Sequence, residues 1–154
     1  MRNLIWLFLL GVLLVGCGTG NQEPDQKNED ENNSNKNDIV AGEMEPSLTE
    51  QQAFSYQYQV TNQTEDKITL EFTSSQRFDY SVETKDGEQL FLFSSVASFM
   101  QVLGEEKIKP GESLEYSIDL TELDLSQGEY VLNVWMTPTE GKKYQVSQEF
   151  SVNE

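Results

Sequence analysis

The sequence predicts an all-β protein: an immunoglobulin-like antiparallel β-sandwich of about seven strands, preceded by a signal peptide and a disordered linker. Three observations carry this reading. Residues 53–154 alternate apolar and polar side chains with period two, turn signals separate the alternating runs at short intervals, and no segment repeats apolar residues at helical spacing. About 100 residues is also an ordinary size for one domain with its own core.

The strands follow in order. Phe54, Tyr56, Tyr58 and Val60 alternate with Ser55, Gln57, Gln59 and Thr61, which places the aromatics on one face. Ile68, Leu70 and Phe72 repeat the pattern, as do Phe78, Tyr80 and Val82. Lys85-Asp86-Gly87-Glu88 reads as a hairpin turn in which both central positions take positive φ, with residues 90–93 returning. Pro110-Gly111 precedes Leu114, Tyr116, Ile118 and Leu120; residues 129–136 form the next strand. A turn over residues 137–142, with Pro138 and Gly141, leads to the last strand, where Tyr144, Val146, Phe150 and Val152 share a face. Gln148 interrupts that row and marks a bulge or an edge.

Two local signals sit between strands. Asn62-Gln63-Thr64 is formally a glycosylation sequon but reads as turn residues. Leu125-Ser126-Gln127-Gly128-Glu129-Tyr130 resembles the tyrosine corner of Greek-key sandwiches, in which the phenol oxygen bonds back to the corner's backbone. The alternative is that Tyr130 only packs in the core.

The amino-terminal segment has a different role. Arg2 precedes an apolar run over residues 4–15 that Gly11 alone interrupts, the profile of a secretory signal peptide. About a dozen apolar residues fall short of the roughly 20 that span a bilayer. Leu14-Val15-Gly16-Cys17 then resembles the lipobox of bacterial lipoproteins. That resemblance implies cleavage between Gly16 and Cys17, a diacylglycerol on the Cys17 thiol and acylation of the new amino terminus. One fatty chain holds a protein only marginally, whereas two or three anchor it durably. The expected location is the extracytoplasmic face of the cell membrane, attached through lipid.

The chain therefore divides into a signal peptide (1–16), a lipidated cysteine with an acidic linker (17–52) and a β-domain (53–154). Residues 18–52 carry nine acids against two lysines and almost no aliphatic side chain before Ile39, too little to form a core. A flexible coil of that length reaches roughly 30–35 Å, enough to lift a domain off a membrane.

Composition narrows the chemistry. The chain has no histidine and a single cysteine, which excludes Ser-His-Asp and Cys-His catalysis and histidine-based zinc sites; no enzymatic activity and no cofactor is expected. Asp119, Glu122 and Asp124 match no calcium loop, so no metal is assigned. With 27 acids against 10 bases and a net charge of −17, the protein repels nucleic acid and anionic headgroups. A macromolecular partner is neutral or basic on its contacting face.

Across the domain, Ser75-Gln76-Arg77-Phe78-Asp79-Tyr80, Asp86-Gly87, Phe99-Met100-Gln101, Lys109-Pro110-Gly111-Glu112-Ser113 and Gly128-Glu129-Tyr130 follow one another in an order and spacing that resemble the BsuPI family of bacterial proteinase inhibitors. The resemblance implies an immunoglobulin-like sandwich and inhibition of a subtilisin-type serine protease. Residues 94–112 are the longest stretch without period two, and Phe99, Met100 and Leu103 within it are candidate protease contacts, because subtilisin-like clefts accept large apolar side chains. The alternative is that Phe99 and Leu103 fill the core as the chain crosses between sheets. Two functions follow: a membrane-displayed inhibitor of a serine protease, or a non-inhibitory module that binds another envelope protein or has a structural role.

Overall fold

The computed structural model describes residues 42–153. Gly16, Cys17 and the linker up to residue 41 lie outside the described residues. Nine strands and one helical turn follow in order: β1 Met44–Gln52, β2 Ser55–Asn62, β3 Ile68–Phe72, β4 Phe78–Thr84, β5 Gln89–Leu92, α1 Phe93–Val96, β6 Gly104–Ile108, β7 Ser113–Asp119, β8 Gly128–Met136 and β9 Lys143–Val152. One sheet runs β1-β2-β7, the other β5-β4-β8-β9, and β3 pairs with β6; every pairing is antiparallel. This is an immunoglobulin-like sandwich. The first and last strands of the four-stranded sheet are edges, which puts Gln148 on an edge strand, as its break in the apolar row suggests.

Two strands exceed the expected seven. Residues 44–52, assigned above to the linker, form β1, an edge strand whose only large apolar side chains, Met44 and Leu48, lean on the core. Pro46 is tolerated there because an edge strand has one side with no ladder bond to donate. The other is β6, five residues that place only Ile108 in the core.

The turn at Asp86-Gly87 also differs from expectation. Gly87 alone takes positive φ, at 88°; its N–H donates to the Thr84 carbonyl (2.9 Å) while the Thr84 N–H donates to Glu88 (2.9 Å). That is a type I turn closed by a glycine bulge, which a longer hairpin connection favours. Phe54, read as a strand residue, instead occupies the β1–β2 turn with φ of 64°, and its ring meets Phe150 edge-on at 6.2 Å.

The core fills from both sheets. Tyr56, Tyr58, Val60 and Ile118 from one side meet Val82, Leu132, Val134 and Met136 from the other, with Leu70, Phe72 and Ile108 closing one end. The tyrosine corner is present: the Tyr130 hydroxyl donates to the Ser126 carbonyl at 2.6 Å. Gly128 lies beside that phenol, where a Cβ would meet its oxygen at 3.4 Å.

Asn62 is the joint of the framework. The β2/β7 ladder ends at Thr61 and Ser113, and the β3/β6 ladder begins at Ile68 and Ile108. Between them the fully buried Asn62 amide donates to the carbonyls of Asp66 and Ile108 (both 2.8 Å), while its oxygen accepts from the Thr64 N–H (2.9 Å) and hydroxyl (2.7 Å). One side chain thus satisfies backbone groups that the break in the ladder leaves without strand partners. Asn62 is the last residue of β2, and only Gln63 and Thr64 of the three expected turn residues lie beyond the strand; with no exposed surface and all its side-chain polar atoms engaged, it offers no amide for a glycan.

Replacing Asn62 by Ala leaves the buried Ile108 carbonyl without this donor and the part-buried Thr64 N–H without its acceptor, so the full chain should lose about 2–3 kcal/mol. The check is urea denaturation, where the midpoint falls with little change in slope. A second expectation concerns alkali. Burial pushes Tyr56 up to about 12, helped by Glu50, and pushes Tyr116 up to about 12, helped by Glu106. Burial raises Tyr58 and Tyr80 as well. A raised folded-state value favours the neutral phenol, so this contribution is complete below the ordinary value of 10.0 and disappears as pH rises from there through about 12. Phenolate absorbance from these tyrosines should therefore appear together with loss of the β-sheet circular dichroism signal.

Candidate functional site

The one long excursion from the ladders runs from the end of β5 to the start of β6, and its shape follows from four fastenings. The first is the turn α1, where Ala97 N–H donates to Phe93 (3.0 Å) and the Ser95 hydroxyl donates to Leu92 (2.6 Å). Second, the buried Asp79 carboxylate accepts from the Ser94 N–H (3.0 Å) and from the Tyr80 N–H (2.9 Å). The third fastening is aromatic: Phe93 stacks on Tyr80 at 5.0 Å and on Phe78 at 5.8 Å, and Phe99 sets its edge against Phe93 at 5.8 Å.

The fourth holds the tip. Ser75 accepts the Met100 N–H on its hydroxyl (3.0 Å) and donates its own N–H to the Met100 carbonyl (2.9 Å). The same carbonyl accepts from Val102 N–H (3.0 Å), which closes a three-residue turn at Gln101. Where the loop re-enters the sheet, Arg77 spans the junction. Its Nε donates to Glu106 at 2.7 Å, another of its nitrogens donates to the Ser74 carbonyl at 2.8 Å, and its guanidinium lies 4.6 Å above the Phe72 ring. Gly104 makes room for it, since a Cβ there would come within 2.6 Å of the guanidinium.

Fixing the backbone this way leaves the side chains of the tip in solvent. Met100 is 71 % exposed and Leu103 is 82 % exposed, with Val96 and Val102 also exposed beside them. Phe99 is half-buried against Phe93. Of the three candidate contacts, then, Met100 and Leu103 face water and Phe99 is largely a support. Core filling describes Phe99 in part and does not describe Leu103. A run of apolar side chains held clear of the surface is a feature that marks interaction sites.

The sequence reading did not single out Ser75, Arg77 and Asp79 as the loop's holders. They alternate with Gln76, Phe78 and Tyr80, and the alternation was the available signal: Phe78 and Tyr80 pack into the core, while Ser75 and Asp79 reach the loop and Arg77 reaches Glu106 of β6, where the loop ends. Elsewhere the chemistry is sparse. Asp119 accepts from the Thr121 hydroxyl (2.6 Å) and N–H (2.9 Å), which hold its carboxyl below the usual range and make it a turn cap. A cleft of about 480 Å³ between β3 and the β8–β9 turn has Lys143 and Glu140 on its wall, but these pair with each other. Among the described residues, no group of three or more His, Cys, Asp or Glu side chains is placed to hold a metal ion.

The sandwich thus holds an exposed apolar tip, Met100 to Leu103, by backbone bonds. Residues 43–141 match the family model for BsuPI, intracellular proteinase inhibitor, and the chain belongs to that family. No curated protein matches it.

Asp79→Ala should free the Ser94 amide and destabilise the chain by about 1–3 kcal/mol, since the buried Tyr80 N–H and the part-buried Ser94 N–H lose their acceptor, whereas Asp79→Asn keeps an oxygen there and costs less. Amide hydrogen exchange checks the first effect at Ser94, and thermal melting ranks the two variants.

Proposed function

We propose that this protein is a membrane-anchored lipoprotein whose domain reversibly inhibits a subtilisin-type serine protease through residues 99–103, and that it works by binding, without catalysis of its own. Membership of a proteinase-inhibitor family supports the class of partner. The observation that carries the assignment to this loop is Met100: an exposed apolar side chain on a backbone fastened at both its N–H and its carbonyl. Such fastening lowers the entropy lost on docking, which is how pre-organised loops gain affinity. Leu103, at the re-entry into β6, is the second anchor. The signal-like residues 1–16 and the lipobox-like Leu14 to Cys17 support an extracytoplasmic target, unlike that of a family described as intracellular. The acidic balance of the chain favours a protease that is neutral or basic around its cleft.

The experiment is a titration of the purified full chain, in detergent, against secreted and intracellular subtilisins. A side chain that fills a pocket loses at least about 2 kcal/mol on truncation, so Met100→Ala or Leu103→Ala should weaken inhibition about thirtyfold with the thermal melt unchanged. Absence of inhibition at micromolar protein across the panel would favour the non-inhibitory envelope-binding reading. Anchoring has its own check. Cys17→Ser should abolish lipid labelling and shift the mature mass, and equal labelling of parent and variant would refute the lipoprotein assignment.

A further inference from the structure

The direction of the Met100 carbonyl limits how this loop meets a protease. In acyl transfer the catalytic serine oxygen adds to the carbonyl carbon of the residue filling the main specificity pocket, and two N–H donors of the enzyme receive the developing oxyanion. That carbonyl must therefore point at the enzyme. The Met100 carbonyl instead accepts two N–H groups of its own domain, from Ser75 at 2.9 Å and Val102 at 3.0 Å. Its N–H is likewise taken, donated to the Ser75 hydroxyl at 3.0 Å. An extended peptide in a protease cleft pairs its backbone with the enzyme as an added strand, and at Met100 both backbone groups that would do so are turned inward. The side chain, 71 % exposed, is what remains available.

Resting on the inhibitory reading above, we infer that Met100 blocks the cleft as a side-chain plug and not as a substrate mimic. The thioether side chain occupies an apolar subsite, the Met100–Gln101 peptide bond faces away from the catalytic serine, and no acyl-enzyme forms at that bond. Ser75 acts as a positioning residue: it keeps the peptide bond out of reach and is not itself a contact.

The test incubates the full chain with an inhibited subtilisin for many turnover times and follows chain mass and residual inhibition together. The expected result is undiminished inhibition with no cut after Met100. Ser75→Ala removes the acceptor of the Met100 N–H, and cleavage between Met100 and Gln101 should rise roughly tenfold or more in protein that melts as the parent does. Ser75→Thr keeps a hydroxyl and should restore resistance. Slow cutting after Met100 in the parent, with inhibition retained, would overturn the plug and leave the inhibitory function standing. A folded Ser75→Ala variant as resistant as the parent would overturn the role of the Ser75 hydroxyl, since the Ser75 and Val102 N–H groups that hold the Met100 carbonyl are backbone donors which alanine retains. Should Ser75→Ala fail to fold, the parent's cleavage pattern decides alone. No inhibition and no binding to any subtilisin would refute the inhibitory function itself, an outcome that the mass and inhibition readouts keep separate from failure of the plug.

Discussion

The carboxamide of Asn62 determines where half of this domain can go. A two-stranded ribbon leaves the β2/β7 ladder and must bend before it continues as β3/β6, and a bend in a ladder strands buried N–H and carbonyl groups. Asn62 has two donors and an acceptor with two lone pairs, and the structure uses all four. Aspartate lacks the donors, and leucine lacks both. Backbone bonds from Asn62 to Glu112 (2.9 Å) and from Gly111 to Asn62 (2.7 Å) tie the facing turn to the same point. Everything beyond that point inherits its position: Ile108 enters the core, Gly104 pairs with Phe72, and the loop before Gly104 has a fixed place to land.

The other end of the loop depends on a short run that serves two surfaces. Within residues 75–80 Ser75 and Asp79 fasten the loop, Arg77 ties to Glu106 of β6, and Phe78 and Tyr80 pack into the sandwich, so the packing of the core and the posture of the loop are set by one short segment. The arrangement explains why Asp79 is worth burying. Its carboxylate keeps hydrogen bonds to two N–H groups, and such charge-assisted bonds are stronger than neutral ones. A loop fastened through its backbone is free to change its side chains, which separates the stability of the fold from the specificity of the proposed contact.

The same physics decides what was legible in the sequence. Strands with one buried face announce themselves by alternation, and β2, β3 and β7 did so; the Ser126 to Tyr130 corner was equally readable because glycine and tyrosine stood at the right offset. β1 was hidden since an edge strand buries little, and MEPSLTEQQ has the composition of the linker that precedes it. β6 was hidden because Glu105 and Lys107 pair with each other in solvent and only Ile108 reaches the core. Local pattern also failed where the determinant is distant: Ser75 and Met100 are 25 residues apart, and nothing in either neighbourhood records their bond.

The domain has no disulfide to staple it, because the single cysteine of the sequence is Cys17. Aromatic packing takes that place. The Phe78 ring lies 4.7 Å from Tyr116, 6.4 Å from Tyr58 and 5.8 Å from Phe93, so a single residue of β4 touches the opposite sheet twice and the root of the loop once. Such pairs contribute about 0.5–1.5 kcal/mol each beyond the area they bury. Unlike a disulfide, this cluster holds only while the rings stay packed, so loosening the sandwich also loosens Phe93, and with it the support of Phe99 and the tip. The rigidity of the loop is thus a property of the whole fold, and a binding surface that depends on it disappears when the core does.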